Sequence, residues 1–156
     1  KGGGALFSKA SITFGDNAVL SGNATVLAAG GEGYGGGALF LDGKGEILLG
    51  KNALIEKNES CGYGGAIYSL GSVRLEEGAS YGATRLRICG ALAVTGALSL
   101  GKNALVEDNQ ARQGGAIYAK MGRWRWEAER GWKGTRRTEV EPSTCKEAVA
   151  IPQRLI

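Results

Sequence analysis

One phrase recurs five times along this chain, and its spacing limits what the chain can fold into. Gly3-Gly4-Ala5-Leu6-Phe7 returns as Gly36-Gly37-Ala38-Leu39-Phe40, Gly64-Gly65-Ala66-Ile67-Tyr68 and Gly114-Gly115-Ala116-Ile117-Tyr118, with a worn copy at Cys89-Gly90-Ala91-Leu92-Ala93. Measured at the second glycine, the steps are 33, 28, 25 and 25 residues, a base period of 25 with insertions of eight and three. A fixed period of this order signals a solenoid or array, because one such unit cannot bury its apolar face alone.

A second block sits inside each repeat, at residues 14–23, 49–58, 75–84 and 100–109. It follows the second glycine by ten residues in three repeats and by twelve in the other, where Asp42-Gly43-Lys44-Gly45 widens a turn. The large insertion, around residues 28–35, falls between blocks, as loops on a fixed scaffold do. Each repeat offers three short strands. The first is the Gly-Gly-Ala-aliphatic-aromatic piece. The second alternates strictly, with Ile12 and Phe14, Ile47 and Leu49, Val73 and Leu75, Leu98 and Leu100 on one face and Thr13, Leu48, Arg74 and Ser99 between them. The third pairs Ala18 with Leu20, Ala53 with Ile55, Ala79 with Tyr81 and Ala104 with Val106. No stretch has helical period. The expectation is therefore an all-β chain. Residues 1–120 form a right-handed single-stranded parallel β-helix of about four coils, three strands to a coil, with Leu6, Leu39, Ile67, Leu92 and Ile117 lining the core.

Corner chemistry agrees. The fourth block position is Asn17, Asn52, Gly78 or Asn103, the residue types that most readily enter the left-handed region. The last is Asn23, Asn58, Thr84 or Asn109, which on neighbouring rungs about 4.8 Å apart can hydrogen-bond as a ladder. Position three is Asp16, Lys51, Glu77 or Lys102, alternating in sign so that neighbours attract.

Composition narrows the function classes. Of 28 glycines, 25 lie in residues 1–120 and three beyond, which marks the main boundary. Residues 1–120 carry 11 Lys/Arg against 10 Asp/Glu, while residues 121–156 carry eight against five. The body therefore lacks the clustered basic face that nucleic-acid binding needs, and the basic tail reads as solvated. Cys61, Cys89 and Cys145 form no CxxC pair and the chain has no histidine, so neither a metal site nor a cofactor site is expected. The longest uncharged run, residues 88–101, is too short to span a bilayer as a helix. The chain starts inside a repeat, with no initiator Met and no signal peptide, and reads as a fragment of something longer.

Motifs that mimic chemistry dissolve into the repeat. Gly31-x-Gly33-x-x-Gly36 matches a dinucleotide pattern but has no helix after it. Gly45-x4-Gly50-Lys51-Asn52 and Gly96-x4-Gly101-Lys102-Asn103 approach a phosphate-binding loop, yet their intervening residues are strand-like and Asn supplies no magnesium-binding hydroxyl. Asn23-Ala24-Thr25 and Asn58-Glu59-Ser60 fit the glycosylation sequon. Asn109 is followed by Gln-Ala, so Asn holds this column by register. The column Phe7, Phe40, Tyr68 and Tyr118 is either stacking within the sheet or a platform for sugars. Asp16, Asp42 and Asp108 fall in different columns, where an acid/base enzyme needs convergence.

These residues resemble the repeats of the chlamydial polymorphic outer membrane proteins, which carry paired GGAI and FxxN motifs. GGAI stands at 64–67 and 114–117, GGAL at 3–6 and 36–39, and FxxN in full at Phe14 to Asn17. Leu replaces Phe at 49 and 100, and the third copy has lost both Phe and Asn. The resemblance covers residues 1–119. It implies a pectin-lyase-like β-helical passenger of an autotransporter adhesin, displayed at the cell surface or secreted, with a host-cell surface or a polysaccharide as partner.

The functional expectation is a non-catalytic structural or adhesive segment of a surface-exposed or secreted protein, with no catalytic, cofactor-binding or metal residues. The alternative is a carbohydrate-binding or carbohydrate-active (polysaccharide lyase- or hydrolase-like) β-helix. Residues 121–156 leave the pattern. Trp124-Arg125-Trp126 alternates like a strand, one place out of register, and Thr144-x-x-Glu147 before residues 148–151 suggests one capped short helix stopped by Pro152. That tail is expected to be poorly ordered or a cap. Strand edges left open at each end of such an array predict end-to-end self-association.

Overall fold

A computed structural model describes residues 2–25, 35–82, 85–86, 92–107, 110–111, 117–119, 124–126 and 136–137. Every regular element among them is a β-strand, and every pairing is parallel. The chain winds as a parallel β-helix, each sheet taking one strand from each successive coil.

The first sheet stacks Leu6–Ser8, Leu39–Leu41, Ile67–Ser69, Leu92–Val94 and Ile117–Ala119. The second stacks Ile12–Phe14, Glu46–Leu49, Ser72–Leu75, Leu98–Leu100 and Trp124–Trp126. The third contains Val19–Ser21, Leu54–Glu56, Ser80–Gly82 and Leu105–Glu107. Register follows the sequence columns, for example Leu39 against Ile67 and Ile67 against Leu92.

Three strands to a coil is one too few. A fourth sheet stacks Ala24–Thr25, Glu59–Ser60, Arg85–Leu86, Gln110–Ala111 and Arg136–Arg137. Its strands have two residues each, so no apolar alternation announces them, and a hydroxyl pair holds part of it: Thr25 Oγ1 donates to Ser60 Oγ at 3.1 Å. The tail also joins the stack. Trp124 lies opposite Leu98 and Trp126 opposite Leu100, so the strand is in register with its sheet. Counted from Gly115 it arrives one residue late, and that residue is absorbed between 119 and 124, outside the described residues. The rest of the tail, including the helix expected at 144–151, also lies outside them.

Inward-facing columns form one continuous core. Leu39, Ile67, Leu92 and Ile117 are buried, as are Ile47, Val73 and Leu98, Leu49, Leu75 and Leu100, and Ala53, Ala79 and Ala104. Burying a leucine or isoleucine side chain contributes about 1.5–3 kcal/mol, and each coil adds several. Leu6 departs from its column, with 38% of its surface exposed. It has a neighbour on one side only, Leu39, so nothing among the described residues covers its other flank. Phe14, Ala18 and Leu20 of the same coil are likewise only partly buried.

The corners are where glycine and asparagine are needed. Asn17, Asn52, Gly78 and Asn103 all have left-handed backbones, with φ of 60°, 54°, 70° and 57°. The N–H of Asn52 donates to Glu77 O at 3.0 Å and that of Gly78 to Lys102 O at 2.9 Å, so each corner hangs on the next. At the glycine pair the constraint is proximity: a Cβ on Gly37 would run into the carbonyl oxygen of Gly65 and come within 2.6 Å of Glu59 O.

Candidate functional site

The outer face of the first sheet carries the aromatic column. Phe7 meets Phe40 edge-on at a centroid distance of 5.3 Å, and Phe40 stacks on Tyr68 at 5.1 Å with 19° between the planes. The next rung is Ala93, and the gap is covered from a corner. Tyr63, between the fourth and first sheets, stacks on Tyr68 at 5.8 Å, and both rings pack against Ala93 and Tyr118. The segment from Asn58 to Gly65 is one residue longer than its counterparts in the following two coils. This extra length beside a worn rung was the only signal in the sequence for Tyr63. Because Phe40 is 1% exposed and Tyr118 is buried, these rings are spent on one another. Only Phe7, at 44%, offers substantial open surface. Among the described residues the column is stacked within the sheet.

The asparagine ladder is built between its first two rungs. Asn23 donates to Asn58 Oδ1 through its backbone N–H at 2.9 Å and through Nδ2 at 3.0 Å, and Asn58 Nδ2 donates to Leu20 O at 2.9 Å. Asn58 is 1% exposed, so its amide nitrogen is committed and out of reach of a glycosylating enzyme in the folded chain. Asn23 Nδ2 also donates to Ser21 O at 3.3 Å. Thr84 and Asn109 of the same column lie outside the described residues.

Charged side chains pair within a coil or with the next one rather than converge. Lys51 Nζ lies 4.0 Å from Glu77 Oε2, and the backbone N–H of Lys51 donates to Asp16 Oδ1 at 2.8 Å. Arg74 and Glu76 pair at 2.9 Å on the outer face of the second sheet. Asp16 sits at the corner after Ile12–Phe14 and Asp42 at the corner after Leu39–Leu41, so the two belong to different edges of the solenoid. Asp108 is outside the described residues.

The glycine-rich motifs are scaffold. Glu46–Leu49 and Leu98–Leu100 are strands, so neither of the two loop-like motifs makes a loop around a phosphate. Gly50 packs on Gly15 and Asp16 of the preceding coil, and Gly101 on Leu75 and Glu76. Gly36 is a corner residue whose added Cβ would come within 2.7 Å of Ala66 O, while Gly31 and Gly33 lie outside the described residues. Cys61 is a free thiol, and Cys89 and Cys145 are not among the described residues. No group of three or more potential metal ligands occurs among the described residues.

Two polar side chains inside the wall make hydrogen bonds that their places in the repeat do not encode. Tyr81 is fully buried in the third sheet, and its hydroxyl accepts from the N–H groups of Ala66 at 3.2 Å and Ile67 at 3.3 Å across the lumen. Ser60 Oγ, also buried, donates to Gly35 O at 3.1 Å and accepts from Gly62 N at 3.0 Å, tying two coils at the corner that carries the largest insertion.

Residues 52–70 and 103–120 match the family model of the Chlamydia polymorphic membrane protein repeat. Over these two stretches the chain is similar to that repeat. Each match opens on a left-handed corner, Asn52 or Asn103, and closes just past the Gly-Gly-Ala-Ile-Tyr strand. Each matched stretch thus runs from a corner asparagine through strands of the third and fourth sheets into the first. The unmatched coils are those with the longest insertion and with the worn block. No curated protein and no solved structure matches the chain.

Proposed function

We propose that residues 1–120 are a non-catalytic structural or adhesive segment of a surface-exposed or secreted protein. The observation that carries this reading is where the recurring polar side chains go. Asn23 and Asn58, Thr25 and Ser60, Lys51 and Glu77 each face the next coil. Side chains engaged in building a wall are spread over successive coils, whereas acid/base catalysis needs groups that converge on one substrate. The repeat's match to membrane proteins of polymorphic type supports display at the cell surface. A parallel β-helix with its insertions confined to corners suits an adhesive spacer, because variable loops on a fixed scaffold are where contacts with partners are made.

The competing reading is a carbohydrate-active β-helix. The two are separated by immobilising the chain on beads, scoring attachment to cultured cells, and assaying polysaccharides for release of reducing ends. Attachment without release is expected. Catalytic release of reducing ends would overturn the proposal, and neither attachment nor release would leave the purely structural half of it standing.

A further inference from the structure

The wide turn between the first and second sheets holds two adjacent groups that the solenoid leaves unoccupied. Asp42-Gly43-Lys44-Gly45 stands where the other coils spend two residues fewer. Both ends of this turn are pinned. The N–H of Asp42 donates to Ser8 O at 2.8 Å, Gly45 O accepts from Ser72 N at 2.9 Å, and Glu46 N donates to Ser11 Oγ at 3.1 Å. Between the pins, neither the Asp42 carboxylate nor the Gly43 N–H makes a hydrogen bond or ion pair among the described residues. Gly43 answers a demand for space, since a Cβ on it would run into the carbonyl oxygen of Lys9. The close approach that demands glycine also removes the side chain that would shield its nitrogen. Asp42 and Gly43 are half-buried and Lys44 is exposed, so water reaches the turn.

Elsewhere the same two groups are committed. Asp16 Oδ1 accepts the Lys51 N–H at 2.8 Å, and the N–H that follows it, that of Asn17, donates to Lys51 O at 2.8 Å. After Asn52, Asn58 and Asn103 the next N–H donates to Gly50 O, Asn23 O and Gly101 O respectively.

We propose that Asp42 is a site of isoaspartate formation in the folded chain, and thereby a substrate for a carboxyl-methylating repair enzyme. The Gly43 nitrogen gives up its proton and bonds to Cγ of Asp42 in its acid form, while the C–OH bond breaks and one water leaves. The cyclic imide then takes up one water. Opening at the main-chain carbonyl leaves Gly43 joined through Cγ, with a free carboxylate on Cα, and opening at Cγ restores aspartate. Mass is unchanged, and water is the only co-reactant. The rearranged backbone is longer by one methylene. This turn can take that up, because its ends are hydrogen-bonded to neighbouring coils and its middle is not.

The test is to age the 156-residue chain, folded and in urea, and to count isoaspartate by methyl transfer from an isoaspartyl methyltransferase. Peptide mapping places the methyl acceptors. In the folded chain isoaspartate at Asp42 should exceed that at Asp16 by tenfold or more, and the aged chain should still melt cooperatively. Asp42→Asn should form the same imide faster, with loss of ammonia, and so gain mass as it ages. Asp42→Glu, which has no five-membered ring to close, should abolish the signal from that peptide. Gly43→Ala is set aside because its Cβ has no room. Absence of isoaspartate at Asp42 from the folded chain, whether or not it forms in urea, would overturn the proposal. Equal amounts at Asp42 and Asp16, or a signal from that peptide that survives Asp42→Glu, would do the same.

Discussion

The second and third coils have different sequences and the same path. Residues 49–58 keep the recurring block, with Gly50, Asn52 and Asn58, whereas residues 75–84 replace these with Glu76, Gly78 and Thr84. Yet Leu54 pairs with Ser80 and Ile55 with Tyr81, both inward residues are buried, and both corners are left-handed. What the third coil adds is a side-chain hydroxyl at the neighbouring corner. In the first coil the amides of Ala5 and Leu6 donate to Ala38 O, and in the second those of Ala38 and Leu39 donate to Ala66 O. In the third, Ala66 and Ile67 donate to the Tyr81 hydroxyl, just before the coil whose Gly-Gly pair has become Cys89-Gly90. Geometry is held by what a column must do, and letters drift where another residue can do it.

Truncating the inward residue of each coil probes that difference most strongly. Tyr81→Ala should cost about 3–5 kcal/mol, the range for emptying a large aromatic site. Ile55→Ala should fall in or below the about 2–5 kcal/mol range for a buried aliphatic. The distinguishing variant is Tyr81→Phe, which keeps the ring and removes the hydroxyl that accepts from Ala66 and Ile67. It should cost about 1–3 kcal/mol in chemical denaturation. A Tyr81→Phe chain as stable as the parent would mean that the third coil is held by packing alone.

The corners rank next. A β-branched residue in the left-handed region is strained by about 1–3 kcal/mol, so Asn52→Val and Gly78→Val should each lower the melting temperature by several degrees. Gly78→Asn should stay within about 0.5 kcal/mol of the parent, because Asn tolerates this backbone and the nearest atom to an added Cβ is the end of the Asn52 side chain. If Gly78→Asn proved as damaging as Gly78→Val, the interchange of Asn and Gly between these two coils would need another cause.

The two coils also show why some of the fold was legible and some was not. Ile47 over Val73 and Asn52 over Gly78 could be read off because one inward residue or one backbone region is demanded at each turn of the solenoid. Glu59–Ser60 over Arg85–Leu86 could not, since two residues carry no periodicity. Leu6 looked like Leu39 because a column says which way a side chain points and nothing about what covers it. Tyr63 covers the gap at Ala93 from outside the column, a contact that no spacing encodes. For the candidate site, the repeat explained away its own motifs: once Asn58 and Gly50 are seen facing the preceding coil, sequon and phosphate loop both lose their chemistry.

A smaller effect, of opposite sign, separates the third coil from both neighbours. Ser69 shares a column with Leu41 of the second coil and Val94 of the fourth, and all three are buried. Its hydroxyl is buried with no hydrogen-bond partner. Ser69→Val removes a desolvated polar group and matches the apolar residues above and below, so it should raise stability by about 1 kcal/mol. Destabilisation by Ser69→Val together with neutrality of Ser69→Ala would show that the lumen is too tight there for two more methyl groups.

The smallest effect is expected at the bond between the two coils. Lys51 and Glu77 sit at position three, 4.0 Å apart, with side chains 59% and 53% exposed. Water and salt screen a pair this open, and such pairs are worth about 0.2–1 kcal/mol before the entropy of holding two long side chains is counted. Lys51→Thr should therefore shift the melting temperature by no more than a degree or two, and the shift should vanish at high salt. Lys51→Glu should do more, since it sets three acidic residues in adjacent rungs with Asp16 and Glu77, and that loss too should shrink as salt is added. The backbone N–H that Lys51 gives to Asp16 survives both changes. If Lys51→Thr were as costly as Asn52→Val, alternation of charge rather than the left-handed corner would be what keeps one coil in register on the next.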